Sequence, residues 1–443
     1  MAKSKSKKIM LEDALVPVDE QPYQIPENWC WTFLSNVADW GSGGTPSRKN
    51  PDYYGGYIPW IKTGELEDGY IFDSEEKITE DAVAHSSAKL FPIDSVLIAM
   101  YGATIGKTAI LGIPATTNQA CACARCRDVL NNKYLFYYLR SQKDTFIAKG
   151  KGGAQPNISQ DIIRNHMIPL PPLAEQKRIV EQIESLFSKL DEAKEKAQEV
   201  IDGYEARNAA VYNDAFSGRL TAQWRKDNYK ENKWETKRFD EVADIKSNLV
   251  EPSNYLEFPH IAPDNIEKRT GILLDYHTIA EDGVKSGKHR FYAGQILYSK
   301  IRPYLSKVVM VDFDGLCSAD MYPIETKENT KYLLYYMLSD MFLEQASSAG
   351  SRSVLPKINQ KELSAIKVRI TSDEEQKEVV RILDYLLPMM QQVRDKAVQV
   401  VDNIDAIKKS ILAKAFRGKL GTNIPEDESA MELLKIILNK GEC

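Results

Sequence analysis

Ile179, Ile183, Leu186, Leu190, Ala193, Ala197, Val200, Tyr204, Val211 and Ala215 follow one another in a mainly four-three spacing, broken only at Arg207. The same register returns about 200 residues later in Val379, Leu383, Leu386, Met390, Val393, Ala397, Val400, Ile404, Ile407, Ile411 and Ala415. An a/d stripe held over about five heptads predicts a long helix with a coiled-coil seam. The ends agree. Pro171-Pro172 precedes the first helix, Ser372 with Glu375 reads as a capping box for the second, and Gly218 and Gly418 stand where a C′ glycine belongs. Pro388 should kink the second helix, because it removes a donor and crowds the preceding turn. Each stripe would extend about 55 Å at ~1.5 Å per residue. Two such stripes in one chain most simply bury each other, and the second must then run back along the first.

Working outward, the helices are the back halves of a duplicated unit. Val37-Ala38-Asp39 is matched by Val242-Ala243-Asp244, Phe91 and Lys107 by Phe291 and Lys307, and Pro156 and Ile158 by Pro356 and Ile358. Lys133-Tyr134-Leu135 with Tyr137-Tyr138 is matched by Lys331-Tyr332-Leu333 with Tyr335-Tyr336, and Glu175-Gln176-Lys177 by Glu375-Gln376-Lys377. A period this long excludes a solenoid. Each front half carries β-rich runs, such as Tyr57–Ile61 and Ser95–Ala99 in the first copy and Gln295–Tyr298 in the second. A short helix follows at Tyr134–Leu139 and at Tyr332–Leu338. The expected class is α+β: a duplicated unit with two α/β modules separated by an antiparallel two-helix rod, pseudo-two-fold symmetric. The expected segments are an N-terminal lead (1–24), a first module (25–170), a first long helix (171–222), a linker and second module (223–370), a second long helix (371–420) and a tail (421–443).

Composition narrows the class. The chain has 443 residues, 43% hydrophobic and 27% charged, with no apolar run long enough to span a bilayer. The lysines before Met10 lack an apolar segment behind them, unlike a signal peptide. Six cysteines are too few for a disulfide scaffold and fit a reducing cytoplasm. The net charge of −5 by itself argues against nucleic acid, but the acid gathers in the helices and tail, leaving the modules near neutral.

In this layout the chain resembles the DNA-specificity subunit of a type I restriction–modification enzyme. The resemblance covers nearly the whole length. Its marks are Ile25-Pro26-Glu27-Asn28-Trp29, Gly43-Gly44-Thr45-Pro46-Ser47, the run Leu170–Lys177 entering the first helix, and Ser217–Trp224 leaving it. It implies a non-catalytic subunit in which each module is a target-recognition domain for half of a split double-stranded DNA target. It also implies assembly with two methyltransferase subunits and, optionally, two motor/nuclease subunits. S-adenosylmethionine would be bound by the methyltransferase, leaving this chain without a cofactor. The second module has Lys246-Ser247-Asn248-Leu249 where the first has its Gly-Gly-Thr-Pro run, so an asymmetric target is expected. The competing reading is a non-catalytic protein-binding scaffold, two adaptor modules on a helical rod.

The stretch 285–307 is the strongest electrostatic candidate for DNA. It holds Lys285, Lys288, Arg290, Lys300, Arg302 and Lys307 without an acid, interleaved with His289, Tyr292, Tyr298 and Tyr304. The alternative is a solvated strand–turn–strand with its aromatics in the core. Lys107 is its counterpart in the first module, and Lys149 and Lys151 lie in a glycine-rich loop matched by Arg352. Lys62, Thr63, Asn118 and Gln119 flank predicted strands; Asn and Gln suit adenine, or equally a turn's own backbone. Gly102–Thr108 is one residue short of a phosphate loop, and Cys121, Cys123 and Cys126 look more like a buried strand than a metal site. No methyltransferase motif is present, and Asp52 with Glu75-Glu76-Lys77 fits only a permissive nuclease pattern. The apolar tail residues Met431, Leu433, Leu434, Ile436, Ile437 and Leu438 predict a short helix that needs a covering surface.

Overall fold

A computed structural model describes residues 10–150, 156–349 and 356–440. The chain divides into two compact units: Met1–Glu195 together with Asp402–Cys443, and Lys196–Val401. Each unit therefore contains one head, the start of the long helix that follows it, and the end of the other long helix.

The first unit is built on a five-stranded sheet. Its order is Ala38–Ser42, Cys121–Cys126, Val96–Ala99, Thr108–Leu111 and Gly69–Ile71, antiparallel except for the last, parallel pair. Tyr54–Ile61 pairs antiparallel with Lys77–Ile78 and parallel with Thr116–Thr117. Cys30–Phe33 pairs antiparallel with Met167–Leu170, which closes the head at the point where the long helix begins. The second unit repeats this frame. Ala243–Ile245, Met321–Thr326, Ile296–Ser299 and Val308–Met310 form an antiparallel sheet, and Glu235–Arg238 pairs with Lys367–Ile370. Its second sheet, ordered Leu249–Val250, Lys288–Phe291, Gly315–Cys317, Pro259–Ile261 and His277–Thr278, repeats in its last three strands the Thr116–Thr117, Tyr54–Ile61, Lys77–Ile78 sheet of the first head and adds the first two.

The residues that repeat in sequence join head to helix. Tyr134 and Tyr332 are fully buried, and each hydroxyl donates to a strand carbonyl, Pro169 and Arg369, at 2.7 Å. Lys133 and Lys331 reach Glu184 and Asp384 on the long helices at 2.8 and 2.9 Å. Phe416, from the end of the second helix, packs edge-on against Tyr134 and Tyr138. Phe216, from the end of the first, does the same against Tyr332 and Tyr336.

The first long helix runs Leu173–Asp202 and, after an interruption at Gly203, continues as Tyr204–Phe216. The second is one unbroken helix, Asp373–Ala415, with Pro388 inside it. Within each unit the helix segments pair antiparallel. Lys408 meets Asp191 at 2.5 Å and lies over the Phe187 ring in the first unit; Tyr204 donates to Gln391 at 2.6 Å and Arg394 lies over its ring in the second. Gly218 and Gly418 take positive φ (80° and 67°), as a C′ residue should.

The expected stripe holds in part. Ile179, Ile183, Val379, Leu383, Ala397 and Ile404 are buried, while Leu186, Leu190, Val200, Tyr204, Val211, Leu386, Met390 and Ile411 are half-buried. Val393, Val400 and Ile407 are instead exposed. They continue the row Val379–Leu386 at seven-residue steps, and an α-helix of 3.6 residues per turn drifts about 20° per heptad off such a row. The seam rotates accordingly, so that Leu412, outside the predicted register, is buried. The tail forms the predicted helix, Ala430–Lys440, and finds its cover inside the first unit. Ala430 and Leu434 enter the core that holds Ala14 and Trp29, whereas Met431 and Ile436 stay exposed.

The capping box at Ser372 is only half made. Its hydroxyl accepts from Glu375 N–H at 3.4 Å, but the Glu375 carboxylate turns inward to a buried cluster. There it accepts from Thr221 (2.5 Å), Thr371 (2.8 Å), Trp234 Nε1 (2.9 Å) and Arg225. The first copy is analogous, with Glu175 accepting from Trp29 Nε1 at 2.7 Å and Asn423 at 2.8 Å. Burial by itself would raise the Glu375 pKa, but the four hydrogen bonds together outweigh it and hold it below the ordinary 4.5. Such stabilisation is complete above the unfolded glutamate pKa and fades as pH falls through the lower folded value. Glu375→Ala, which strands Arg225, should cost about 3 kcal/mol in chemical denaturation at neutral pH. Glu375→Gln should differ most from the parent near neutrality and converge with it only once pH has fallen below the lowered folded pKa.

Candidate nucleic-acid interface

The basic stretch of the second head folds as the strand Lys288–Phe291, a turn, the strand Ile296–Ser299 and a 3₁₀ turn at Pro303–Leu305. Its cations divide into engaged and free. Lys288 is buried and donates to Ser286 Oγ and carbonyl (2.7 and 3.0 Å), and desolvation pushes its pKa down. Lys300 donates to the Ala319 carbonyl at 2.5 Å beside Asp320, and Lys307 to the Pro263 carbonyl at 2.7 Å beside Asp264. Tyr298 is a core residue, so only Tyr292 and Tyr304 of the interleaved tyrosines are exposed. His289 is buried with Nδ1 unpaired; burial, then Lys300, lowers its pKa. Among the described residues Lys285 and Arg302, both exposed, and Arg290, half-buried, form no ion pair.

Arg302 has a backbone cost attached. Gly102 and Gly106 of the first head have φ of 62° and 78°, and their counterparts Arg302 and Ser306 keep left-handed φ (48° and 44°) without being glycine. Gly102 N–H and Arg302 N–H donate to the equivalent carbonyls, Pro156 and Pro356, at 2.8 Å. The Gly102–Thr108 run is therefore a tight turn leading into a strand, with no helix start to hold a phosphate.

In the first head, Lys62 is bound to Glu75 and Glu76 at 3.0 and 3.1 Å, hydrogen bonds that raise its pKa, and Thr63 opens the 3₁₀ turn beside it. Asn118 accepts from Ala120 N–H and so supports its own turn; Gln119 is exposed and meets Thr45. Lys107 is half-buried without an ion pair, and Lys149 reaches His166 Nδ1 at 3.3 Å. Burial, then Lys149, depresses the His166 pKa to about 4. Lys151 and Arg352 lie outside the described residues. Glu75 and Glu76 serve Lys62 and Arg48, which removes them from any nuclease role. Cys121 and Cys123 are buried in a strand, and desolvation pushes the Cys121 thiol up to about 12, away from a metal-binding thiolate. The five described cysteines are free. Among the described residues no helix is long and apolar enough to cross a membrane.

Sequence reading missed Arg48, which lies over the Tyr54 and Trp60 rings at 4.3 and 5.2 Å, and the aromatic surroundings of Arg290. Both depend on residues brought together by folding. The Trp29–Glu175 and Trp234–Glu375 bonds did have a signal, since both partners belong to the repeat.

Two α/β heads, each closed by an antiparallel strand pair and joined to long helices, define a duplicated two-headed protein. The family described as type I restriction modification DNA specificity domain matches residues 26–201 and again 231–396. The chain belongs to this family and is a specificity subunit, a non-catalytic one. It is 39% identical over 314 residues to the EcoDI specificity subunit of Escherichia coli, covering 66% of this chain and 71% of that protein. It is 25% identical over 426 residues to the MjaIX specificity subunit of Methanocaldococcus jannaschii, covering 90% and 94%. In fold it is similar to the HsdS subunit from Thermoanaerobacter tengcongensis, with a TM-score of 0.67 at 20% identity over 91% of this chain and 100% of that one.

The two sorts of cation should separate in a salt titration of DNA binding. Replacing Lys285 and Arg302 together by alanine should lower the salt slope by about 2, near 0.9 for each lost phosphate contact. Lys307→Ala should leave the slope unchanged and lower the melting temperature instead.

Proposed function

We propose that this chain reads a split, asymmetric double-stranded DNA target, one half with each head. In this reading it seats two methyltransferase subunits and, where the system has them, two motor/nuclease subunits, in the cytoplasm. S-adenosylmethionine belongs to the methyltransferase, and this chain contributes the choice of sequence. The observation that carries the reading is a frame that repeats residue for residue while the polar surface does not. The helix-entry glutamates, the Tyr134/Tyr332 hydroxyls and the Phe216/Phe416 contacts recur. Gly102 against Arg302, and Lys62 bound to acids where the second head has Ala262, do not. Two similar scaffolds with different polar surfaces suit two different half-sites, because bases are told apart by the donors and acceptors presented to them.

The heads are near neutral overall, so phosphate attraction from this chain alone is modest and partner subunits supply much of the grip. The exposed row of Tyr385, Met389 and Val393 on the second helix offers apolar area for a methyltransferase. Mapping methylated adenines in the genome of a host expressing this chain with its methyltransferase should give one bipartite motif with unequal halves. Methylation without any bipartite motif would overturn the reading and favour a protein-binding scaffold.

A further inference from the structure

Lys288, His289 and Arg290 are consecutive on one strand; Lys288 donates to Ser286, whereas among the described residues the Arg290 guanidinium has no hydrogen-bond acceptor or ion-pair partner. Its guanidinium lies 4.9 Å from the centre of the Tyr292 ring, 5.4 Å from Tyr255 and 5.9 Å from Phe258. Tyr255 and Phe258 are themselves packed edge-to-face at 5.2 Å. Among the described residues no carboxylate pairs with Arg290, and its Nε–H is buried with no acceptor. Its backbone N–H donates to the Asn248 carbonyl, within the segment where the second head departs from the Gly-Gly-Thr-Pro run of the first.

A half-buried arginine without a counter-charge is expensive to keep. The three rings offset part of that cost by cation–π attraction and restrict the side chain's rotamers. What remains is a planar fork with idle donors and little conformational freedom to lose, which is the recogniser that the O6 and N7 acceptors of guanine require. Arg48 of the first head also lies over aromatic rings, but it is neutralised by Glu76 at 2.7 Å. The pairing register supplies a second comparison. Phe291 pairs with Gly315 as Phe91 pairs with Ala115, which makes Leu90 the counterpart of Arg290. Leu90 is 54% exposed and has nothing to donate. At the same place in the frame, one head presents an apolar side chain and the other a hydrogen-bonding fork.

The geometry points to Arg290 as the residue through which the second head reads a guanine in its half-site. This rests on the DNA-reading function proposed above and names one base-contacting group within it.

The test uses the complete complex of this chain with its methyltransferase, mapping genomic methylation for the parent, Arg290→Ala and Arg290→Lys. Both variants should relax a single position of one half-site from guanine to any base, with about ten- to hundredfold loss of preference there and the other half unchanged. Lysine keeps the charge but not the fork, so it should not restore the guanine. An unaltered motif in Arg290→Ala overturns the inference. So does full restoration by Arg290→Lys, or a uniform loss at all sites with a smaller salt slope, which marks a phosphate contact. If Arg290→Ala fails to assemble, Arg290→Lys, which keeps the aliphatic stem among the rings, decides alone. A parent complex with no bipartite motif would sink the DNA-reading function itself, an outcome distinct from a parent motif that the variants leave intact.

Discussion

A carboxylate buried at the third position of each long helix fixes the rest of the structure. Glu175 and Glu375 lie in the first turn, where a negative charge is favoured by the helix dipole. Their oxygens accept from distant segments, Trp29 and Asn423 in one unit and Trp234, Thr221 and Arg225 in the other, and Glu375 also from Thr371 just before the helix. The following glutamines complete the joint. Gln176 bonds Asn131 N–H and the Val129 and Pro171 carbonyls; Gln376 bonds Asn329 N–H and the Thr371 carbonyl. A buried charge with several directional partners tolerates few alternative arrangements, so the Glu-Gln pair sets where the helix leaves the head.

Much of this frame was legible in the sequence. The 3.5-residue stripe, the two C′ glycines and the repeated Tyr and Phe positions carry local or periodic signals, and periodicity survives without knowledge of tertiary contacts. The exposure of Val393, Val400 and Ile407 was not legible, because a strict heptad count ignores the drift of a 3.6-residue helix. The Ser372–Glu375 box failed for a different reason: the spacing was right, but several side-chain donors inside the fold competed more strongly for the carboxylate than the Ser372 backbone N–H. The candidate interface was the least legible part. Lys288, Lys300 and Lys307 look alike in a charge count, and only folding reveals that each is tied to nearby backbone oxygens. The clasp around Arg290 comes from residues more than thirty positions away as well as from an immediate neighbour.

The duplicated chain separates what must stay from what is free to change. Head–helix joints rely on buried hydrogen bonds and edge-to-face rings, where substitution leaves unsatisfied groups or cavities. The outer sheets differ freely between copies: the first head has an added parallel edge strand, Gly69–Ile71, and the second an added pair, Leu249–Val250 with Lys288–Phe291. New recognition surfaces are thereby available without touching the joints.

The composition of the first unit also dictates an order of assembly. Its core includes Leu412, Phe416, Ala430 and Leu434, contributed by residues that are synthesised after the whole of the second unit. The second unit, by contrast, is one continuous stretch, Lys196–Val401. On the ribosome the second unit can close as soon as its own residues have emerged, while the first waits, its apolar residues uncovered, for segments made hundreds of residues later. The first head therefore cannot complete its core in the usual amino-to-carboxyl order, and until those residues arrive it carries uncovered apolar surface of the kind that aggregates and engages chaperones.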